Sequence, residues 1–313
     1  MSLPDAQARP ADPTVDTATV DICICTFRRP AIVETLRSVA AQQGVDARSV
    51  RVIVADNDET ASACDLVLRE AEALGLDVHY VHAPSRNISL ARNACLNAAQ
   101  ADWIAFLDDD ETAAPRWLSA LLGEAVRGGW DAVLGPVEAV YPPGAPAWMR
   151  EGRFHSTAPV WVDGEIRTGY SGNVLIRREL VESARLRFDL QFGRTGGEDV
   201  DFFYRFRDAG GRIGFASAAG ASEPVPQTRA RLPWLLQRSY RAGQTHATRL
   251  ARGKAIHGRL ALTPPALAKA VACLAMAGLK IASPLQRNRW LVRGALHLGV
   301  LMRLVGRREI QLY

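Results

Sequence analysis

Short apolar runs alternate with helical patterns through the first third of the chain, and this alternation limits the possible folds more than any other feature. The apolar runs occupy residues 20–25, 50–55, 77–82 and 103–107. The helical patterns between them extend to about residue 43 and cover residues 61–74 and 89–100. Strands and helices that alternate with short connections predict a parallel sheet covered by helices on both faces.

The pattern is less regular after residue 110. Strands are predicted at 131–140, 171–177 and 212–216, and a helix is predicted at 198–209. No second Rossmann-like half is visible, so these elements are expected to complete the same sheet. We therefore predict an α/β fold with a mainly parallel, Rossmann-like sheet, in which ligands bind beyond the carboxyl ends of the strands.

Three consecutive aspartates, Asp108, Asp109 and Asp110, directly follow the fourth apolar run. We call them the aspartate triplet. Carboxylates crowded at the end of a buried strand repel one another and lose hydration, which is costly unless a cation neutralises them. On an extended segment Asp108 and Asp110 would point to the same side and address one nucleotide–metal complex. Mg²⁺ and Mn²⁺ prefer such oxygen ligands. The alternative is a helix N-cap, because acidic residues before Pro115 suit a helix start.

A glycine pair, Gly196 and Gly197, precedes a second acidic group at Glu198 and Asp199. The glycines allow a sharp turn, which would leave both carboxylates at a helix N-terminus beside the expected cleft. A carboxylate in that position could remove a proton from an attacking hydroxyl. The same residues could equally form a capping cluster.

Two arginines and a further aspartate follow other predicted strands. Arg86 and Arg92 have the fork of donors that suits diphosphate oxygens, although a single arginine on a helix is more often solvated. Ser89 is predicted to cap the helix that carries Arg92. Asp56 follows the second apolar run and could accept a hydrogen bond from a base or ribose, or form a turn.

These motifs and their order resemble the family 2 glycosyltransferases of GT-A fold over residues 20 to about 245. The matching segments are Cys25-Thr26-Phe27-Arg28-Arg29-Pro30, Val54-Ala55-Asp56-Asn57, Ala91-Arg92-Asn93, the aspartate triplet, Gly172-Asn173 and Gly197-Glu198-Asp199. A later segment is similar to bacterial exopolysaccharide transferases of the succinoglycan type. It consists of Glu223-Pro224-Val225-Pro226 followed by Arg229, Trp234, Arg238, Arg241 and Gly243.

The resemblance implies roles for the matching residues. Asp199 and Glu198 would be catalytic, with Asp199 as the base. The donor nucleotide would contact Thr26, Arg28, Asp56, Arg86, Arg92, Asp108 and Asp109. The donor sugar or the acceptor would contact Gly172, Asn173, Gly197 and Trp161. Asp110, Asp108 and Glu223 would bind Mn²⁺ or Mg²⁺. The chain departs from the family at Glu223, where many members have a histidine ligand; we predict that Glu223 substitutes for it, because a carboxylate is a competent ligand.

Charge is divided unevenly along the chain. Residues 229–313 hold 16 Lys and Arg against one acid, Glu309, whereas the preceding residues hold 22 basic and 32 acidic residues. An acidic body with a basic tail predicts a partner surface for the tail, either phospholipid or nucleic acid. Because Trp234, Tyr240 and Trp290 form no stacking array, nucleic acid is not expected.

A helix predicted at 287–308 has the pattern of an interfacial helix. Its basic face holds Arg289, Arg293, His297, Arg303 and Arg307, and its apolar face holds Leu291, Ala295, Leu298, Met302 and Val305. We expect this helix to bind an anionic membrane. The alternative is that it packs on the body or on a second subunit, which would make the chain an oligomer. The apolar stretch 266–282 is interrupted by Lys269 and Lys280 and is not expected to span a membrane.

We predict three regions: a disordered leader at 1–18, a GT-A catalytic domain at 19–228 and a basic helical tail at 229–313. The five cysteines lack metal-ligand spacing and are predicted to be core thiols.

The resemblance implies an inverting hexosyltransferase that uses a nucleotide diphosphate donor, a UDP-sugar, and a lipid-linked saccharide acceptor. It would act at the cytoplasmic face of a bacterial membrane. The alternatives are a non-catalytic sugar-nucleotide-binding or scaffold protein, and a nucleic-acid binder that uses the basic tail.

Overall fold

The computed structural model describes residues 18–251 and 253–307. The predicted leader lies outside these residues except for Ala18, which is buried. The strands are β1 (Val20–Thr26), β2 (Val50–Asp56), β3 (Val78–His82), β4 (Trp103–Leu107), β5 (Thr112–Ala113), β6 (Ala132–Leu134), β7 (Val137–Val140), β8 (Trp161–Val162), β9 (Glu165–Ile166), β10 (Asn173–Arg177), β11 (Ile213–Phe215) and β12 (Ala221–Pro224). The helices are α1 (Ile32–Ala40), α2 (Cys64–Leu74), α3 (Ile88–Ala98), α4 (Trp117–Gly128), α5 (Ala147–Gly152), α6 (Arg178–Ser183), α7 (Glu198–Asp208), α8 (Leu232–Leu250), α9 (Ile256–Leu260), α10 (Thr263–Leu279) and α11 (Pro284–Leu304).

Seven strands form the central sheet in the order β11-β6-β10-β4-β1-β2-β3. Strands β1 to β4 are parallel, β10 runs antiparallel between β4 and β6, and β11 is parallel to β6. The register places Thr26 beside Asp56, and Asp56 beside His82. The carboxyl ends of neighbouring strands therefore meet at one edge, and the predicted mainly parallel α/β sheet is confirmed.

Strand β1 is buried at every position because helices cover both faces of the sheet. Ile22 and Ile24 face a core under α1, α2 and α4, whereas Cys23 and Cys25 face a second core under α3 and α7. This alternation is the two-residue period of a strand with two dry faces. All five cysteines are free thiols, and four of them are buried. Helix α3 is capped by Asn87, whose side chain accepts from the Leu90 N–H, so the prediction of a Ser89 cap is wrong.

The single strand predicted at 131–140 is two strands in different sheets. The chain leaves the central sheet after β6 at Gly135, where a Cβ atom would lie 2.2 Å from the Ala219 carbonyl oxygen. Pro136 has no N–H to donate to a ladder, so pairing is interrupted there. Strand β7 resumes in a small sheet of order β5-β12-β7. Because β5 closely follows the aspartate triplet and pairs with β12, this sheet brings Glu223 towards the triplet.

Helix α11 packs against α8 and α10 and also contacts α5. The helices approach closely at glycine: a Cβ atom on Gly243 would lie 1.9 Å from the Leu296 carbonyl oxygen. The buried positions of α11 are Asn288, Gly294, Gly299, Val300 and Leu304. The predicted apolar face is therefore not the packing face, since Leu298 and Val305 are exposed.

The outer surface of α10 is the apolar surface of the tail. This helix buries the small side chains of Ala266, Ala270, Cys273 and Ala277 and exposes Leu267, Val271, Leu274 and Leu279. The stretch Ile256–Leu279 is long and apolar enough to cross a membrane by length and composition, and most of it is exposed. Lys269 therefore does not exclude this helix by length and composition, and the expectation that the stretch 266–282 does not span a membrane stays a prediction. We call the four exposed side chains the α10 face.

Candidate functional site

A cleft of about 930 Å³ opens beyond the carboxyl ends of β1, β2 and β4. Its lining contains three groups of side chains. The Phe27 group consists of Phe27, Asn57, Glu59 and Arg86. The acidic group consists of the aspartate triplet, Glu111, Glu198, Asp199 and Glu223, with Arg29 and Arg92 among them. The Trp234 group consists of His155, Arg229, Trp234 and Arg238.

The aspartate triplet forms a turn rather than an extended segment, because the Glu111 N–H donates to the Asp108 carbonyl at 3.1 Å. The prediction that Asp108 and Asp110 share one side of an extended segment is wrong, since this segment is a turn. Asp109 accepts from Thr26 Oγ1 at 2.7 Å and pairs with Arg29, which also pairs with Asp110. Asp108 lies 3.6 Å from Arg92. The N-cap alternative is also wrong, because α4 begins at Trp117 after Arg116.

Burial and like charge raise the pKa values of several carboxyl groups in the acidic group. Burial raises the pKa of Glu223 to about 7, with further contributions from Asp110 and Asp108. Burial, opposed by Arg29, raises the pKa of Asp109 to about 7. Glu111 is buried with one carboxylate oxygen unpartnered, and burial and Asp108 raise its pKa strongly. A side chain on Gly172 would collide with this cluster, 2.7 Å from Glu111 Oε1. Negative charge is therefore crowded and incompletely neutralised here.

The carboxylate oxygen atoms of the acidic group are the kind of ligand that a hard divalent cation prefers. Asp110, Asp108 and Glu223 are near enough for the first two to raise the pKa of the third. Within residues 18–251 and 253–307, no three His, Cys, Asp or Glu side chains are already arranged as a ligand set. Mg²⁺ is commonly held by one or two carboxylates together with substrate phosphates and water. The donor set therefore suits a cation that arrives with a diphosphate.

Arg92 joins the two acidic motifs inside the cleft. Its guanidinium pairs with Glu198, and both side chains are buried. Burial opposes the charge on Arg92, but Glu198 and Asp108 raise its pKa above the ordinary arginine value. Asp199 follows Glu198 on the first turn of α7, and burial and Glu198 raise its pKa to about 7. The helix begins after Gly197, at φ 91°, without a side-chain cap. Neither acid is the N-cap residue, although Asp199 Oδ1 accepts the Val200 N–H of the first turn at 2.7 Å.

Two of the residues assigned to the nucleotide do not line the cleft. Asp56 is completely buried and accepts hydrogen bonds from the Asp58 and Ala63 N–H groups and from Tyr80 Oη. These hydrogen bonds stabilise the turn after β2. The adjacent Asn57, rather than Asp56, faces the cleft. Arg28 pairs with Asp58 outside the lining. Thr26, Arg86, Arg92, Asp108 and Asp109 are in the lining.

The residues assigned to the sugars are also divided. Gly172 lines the cleft. Asn173 is buried and holds the fold together through Trp117 Nε1 at 2.7 Å and the Pro136 and Ala219 carbonyls. Gly197 supplies the left-handed turn before α7. Trp161 is 57% exposed on the β8–β9 hairpin, outside the lining. Its position gives no support to a sugar contact.

The sequence analysis missed Arg29, Asn57, Glu111 and His155 as lining residues. Three of them, Arg29, Asn57 and Glu111, are sequence neighbours of residues in the motifs. The motifs therefore located these turns at the cleft but did not show which side chain of each turn faces it. His155 lies in an irregular segment with no motif. In the cleft it stacks on Trp234, with ring centroids 5.2 Å apart.

Residues 21–184, just over half of the chain, match the family described as Glycosyl transferase family 2. The chain belongs to this family. It is 48% identical over 300 residues to the succinoglycan biosynthesis protein ExoM of Rhizobium meliloti (strain 1021), covering 95% of this chain and 96% of that protein. It is 24% identical over 245 residues to a glucosyl-dolichyl phosphate glucuronosyltransferase of Haloferax volcanii, covering 72% of this chain and 75% of that protein. The chain is therefore a glycosyltransferase.

Solved structures confirm the GT-A fold that the resemblance implied. Residues 1–349 of S. aureus TarS in complex with UDP-GlcNAc superpose with a TM-score of 0.54 at 17% identity, covering 92% of each chain. The mannosyltransferase PcManGT from Pyrobaculum calidifontis, in complex with GDP-Man and Mn²⁺, gives a TM-score of 0.55 at 20% identity, covering 92% of this chain and 90% of that one. Both likenesses extend into the C-terminal helices, because each covers more than nine-tenths of this family 2 glycosyltransferase.

Proposed function

We propose that this glycosyltransferase moves a hexose from a UDP-sugar to a hydroxyl of a lipid-linked saccharide, with inversion at the anomeric carbon, in exopolysaccharide synthesis. The observation that carries the proposal is that Arg92 lies between the aspartate triplet and the Glu198–Asp199 pair in one cleft. Groups suited to a diphosphate and a group suited to take a proton therefore face the same space.

Asp199 is the proposed base. Glu198 is paired with Arg92, whereas Asp199 has no ion pair within residues 18–251 and 253–307 and has a pKa raised to about 7 by burial and by Glu198. A base with a pKa near the working pH is well suited to proton transfer. Asp199 takes the proton of the acceptor hydroxyl as that oxygen bonds to the anomeric carbon. The bond from this carbon to the diphosphate oxygen breaks, UDP leaves, and one such displacement inverts the centre.

Arg29 and Arg92 are proposed to position the donor diphosphate, and Asp110, Asp108 and Glu223 to hold Mn²⁺ or Mg²⁺. A divalent cation there would neutralise the charge that develops on the departing diphosphate. The nucleotide would extend towards the Phe27 group, where the guanidinium carbon atoms of Arg28 and Arg86 lie 5.4 and 5.7 Å from the Phe27 ring centroid. Arg86 keeps its predicted contact with the nucleotide, and Asn57 takes the place of Asp56, while Arg28 lies outside the lining.

The relatives support the finer parts of this proposal. The 48% identical protein takes part in succinoglycan biosynthesis, which supports a role in exopolysaccharide synthesis. TarS holds UDP-GlcNAc on a similar fold, and PcManGT holds a nucleotide sugar with Mn²⁺. These complexes support a UDP donor and a divalent cation for this chain.

We also propose that the protein is peripheral on the cytoplasmic face of a bacterial membrane. The α10 face, rather than α11, is the proposed contact, because its leucine and valine side chains are exposed together. Exposed basic residues accompany it at Lys254, Arg259, Lys269 and Lys280. An apolar face with basic residues beside it suits an anionic bilayer.

Incubation with a panel of UDP-, GDP- and dTDP-hexoses tests the proposal. Release of nucleoside diphosphate is measured with Mn²⁺, with and without vesicles that contain lipid-linked saccharides. We expect release from a UDP-hexose, increased by the acceptor vesicles. Release from none of these donors, in either condition, would contradict the proposed reaction.

A further inference from the structure

The Trp234 group is an aromatic assembly beside the proposed donor site, which it meets where Arg229 lies 3.8 Å from Glu223. Its members come from α8 and the segments around it, not from the strand–helix units that carry the Phe27 group. Trp234 stacks on His155 with an interplanar angle of 16°, and Tyr141 packs edge-on against the same histidine at 5.4 Å. Aromatic rings held in this way offer a fixed flat surface.

His155 is held by hydrogen bonds at both ring nitrogens. Nε2 lies 3.1 Å from the Arg229 carbonyl oxygen, which can only accept, so Nε2 carries the proton. Nδ1 then accepts from Tyr141 Oη at 3.2 Å, and Tyr141 Oη accepts from the His155 backbone N–H at 3.1 Å. Burial lowers the pKa of His155 to about 4, which keeps the ring neutral near pH 7. The histidine is a support for Trp234, not a charge in the cleft.

The positive charge of this group comes from two arginines beside the indole. The guanidinium carbon atoms of Arg229 and Arg238 lie 5.7 and 5.5 Å from the Trp234 ring centroid. Arg229 is 3.8 Å from Glu223, so its charge is partly used within the acidic group. Arg238 is exposed and has no carboxylate oxygen within ion-pair distance among the residues that the structure describes, although its charge, like that of Arg229, favours the ionised form of Glu223. It is available to an anion that enters the cleft.

A flat indole beside an available guanidinium suits a pyranose ring that carries a phosphate. Aromatic faces pack against the apolar faces of sugar rings, and arginine pairs with phosphate oxygens through two parallel hydrogen bonds. We infer that the Trp234 group binds the acceptor, with a pyranose ring packed on Trp234 and an acceptor phosphate paired with Arg238. This inference rests on the proposed function, because it assigns the second substrate of that reaction.

Binding of two probes to the full chain tests the inference, with UDP and Mn²⁺ present so that the donor site is occupied. One probe is glucose linked through a diphosphate to an alkyl chain, and the other is the alkyl β-glucoside of the same chain length. Isothermal titration calorimetry is done on the native chain and on Trp234→Ala, Trp234→Phe, Arg238→Gln and Arg231→Gln. Arg231 is an exposed arginine at the start of α8 outside the lining, and it provides the matched control.

We expect Trp234→Ala to weaken both probes about tenfold and Trp234→Phe to restore most of that loss. Arg238→Gln should weaken only the diphosphate probe, by about tenfold to a hundredfold, and Arg231→Gln should change neither. The affinity for UDP should be unchanged in all four variants. Arg238→Gln is on an exposed side chain, so it stays informative if Trp234→Ala does not fold.

Three results would overturn the inference. These are binding of neither probe by the native chain, native-like binding of both probes by the Trp234 and Arg238 variants, and a loss of UDP affinity in Arg238→Gln, which would assign that arginine to the donor. Because calorimetry needs no transfer, failure of the proposed reaction is recognised separately. In that case the probes bind as described but no nucleoside diphosphate is released from any donor.

Discussion

The Phe27 group and the Trp234 group share a cleft but are built in opposite ways. Phe27, Asn57 and Arg86 each follow a strand of the parallel half of the sheet, so a repeated strand–helix pattern places them at one edge. His155 and Trp234 are far apart in sequence and meet only through the packing of α8 on the body. The comparison shows that regular topology places the side chains of the proposed nucleotide site, whereas irregular segments supply those of the proposed acceptor site.

The acidic group lies between these two kinds of construction. The triplet follows β4 of the regular sheet, but Glu223 arrives on β12 of the small sheet and Glu198 on α7. Arg92 of α3 is the connection, because it contacts both Asp108 and Glu198. The predictions below test whether the regular and irregular parts can be disturbed separately.

The largest expected effect is on stability, from Arg92→Ala. This change leaves Glu198 buried without its countercharge, which typically costs about 3–5 kcal/mol. Urea unfolding followed by circular dichroism measures the loss. Arg167→Ala, which removes an exposed pair with Asp163, is the matched control and should have little effect. Equal small losses from both variants would mean that Arg92 does not hold the two halves of the site together.

The next effect concerns the cation. UDP with Mn²⁺ should raise the melting temperature by several degrees, since ligand at 100 times its Kd adds about 2.7 kcal/mol of stability. EDTA or Asp110→Ala should abolish most of this shift, because crowded carboxylates otherwise repel the diphosphate. Trp234→Phe should retain the shift. An equal shift in EDTA would separate donor binding from any metal.

A smaller effect is expected at the membrane surface. Replacement of Leu267, Val271 and Leu274 by glutamine should reduce flotation with anionic vesicles by about tenfold, because side chains that enter only the interface gain part of the about 1.5–3 kcal/mol that full burial of each would contribute. UDP affinity should not change. Leu68→Gln, at an exposed leucine of α2, is the matched control. Vesicle binding that survives the triple change would show that the α10 face is not the contact.

Substitution is a better test than deletion of the tail. Removing the residues after Gly253 would strip α10 and α11 from the structure and expose Gly243, Gln244 and Ala247 of α8, which are buried. The predicted division at residue 228 into a catalytic domain and a separate tail stays a prediction. The contacts of α11 with α8 and α5 indicate that the tail helices are packed on the body.

The smallest effect is the pH dependence of stability at Asp199. Its pKa is raised from 3.8 to about 7, so the folded chain binds more protons than the unfolded chain between these values. The contribution of Asp199 to the free energy of unfolding is therefore fully present at low pH and is lost as the pH rises through that window. Asp199→Asn cannot ionise and should melt a few degrees above the native chain at pH 8, but not at pH 4. A difference that is equal at both pH values would remove this explanation.

The regular half of the fold could be predicted from the sequence almost to the residue. The four apolar runs became β1 to β4 with changes of one residue at their ends, because a strand buried on both faces has few alternatives. Side-chain direction at turns was harder: Asp56 and Asn57 are neighbours, yet only Asn57 faces the cleft. Local bonds to Ala63 and Tyr80, which sequence spacing does not reveal, turn Asp56 inwards.

The irregular half of the fold was harder to predict from the sequence. The break at Gly135 depends on the approach of Ala219, a contact far along the chain, and the exposed face of α10 depends on where α11 packs. Helical periodicity divides a helix into faces but does not say which face meets a neighbour. The face of α11 that packs on its neighbours contains Gly294 and Gly299, and this face is only weakly apolar in the sequence.

The central claim is that Asp199 is the base and that the donor is held by other residues. Asp199→Asn keeps the shape and hydrogen bonding of the side chain but cannot take a proton. Transfer to the acceptor is measured beside calorimetry of UDP with Mn²⁺, at a pH above 7. We predict a fall of about 10²–10⁴ in the transfer rate with UDP affinity near the native value. Near-native transfer by Asp199→Asn, or loss of UDP binding together with transfer, would contradict the claim.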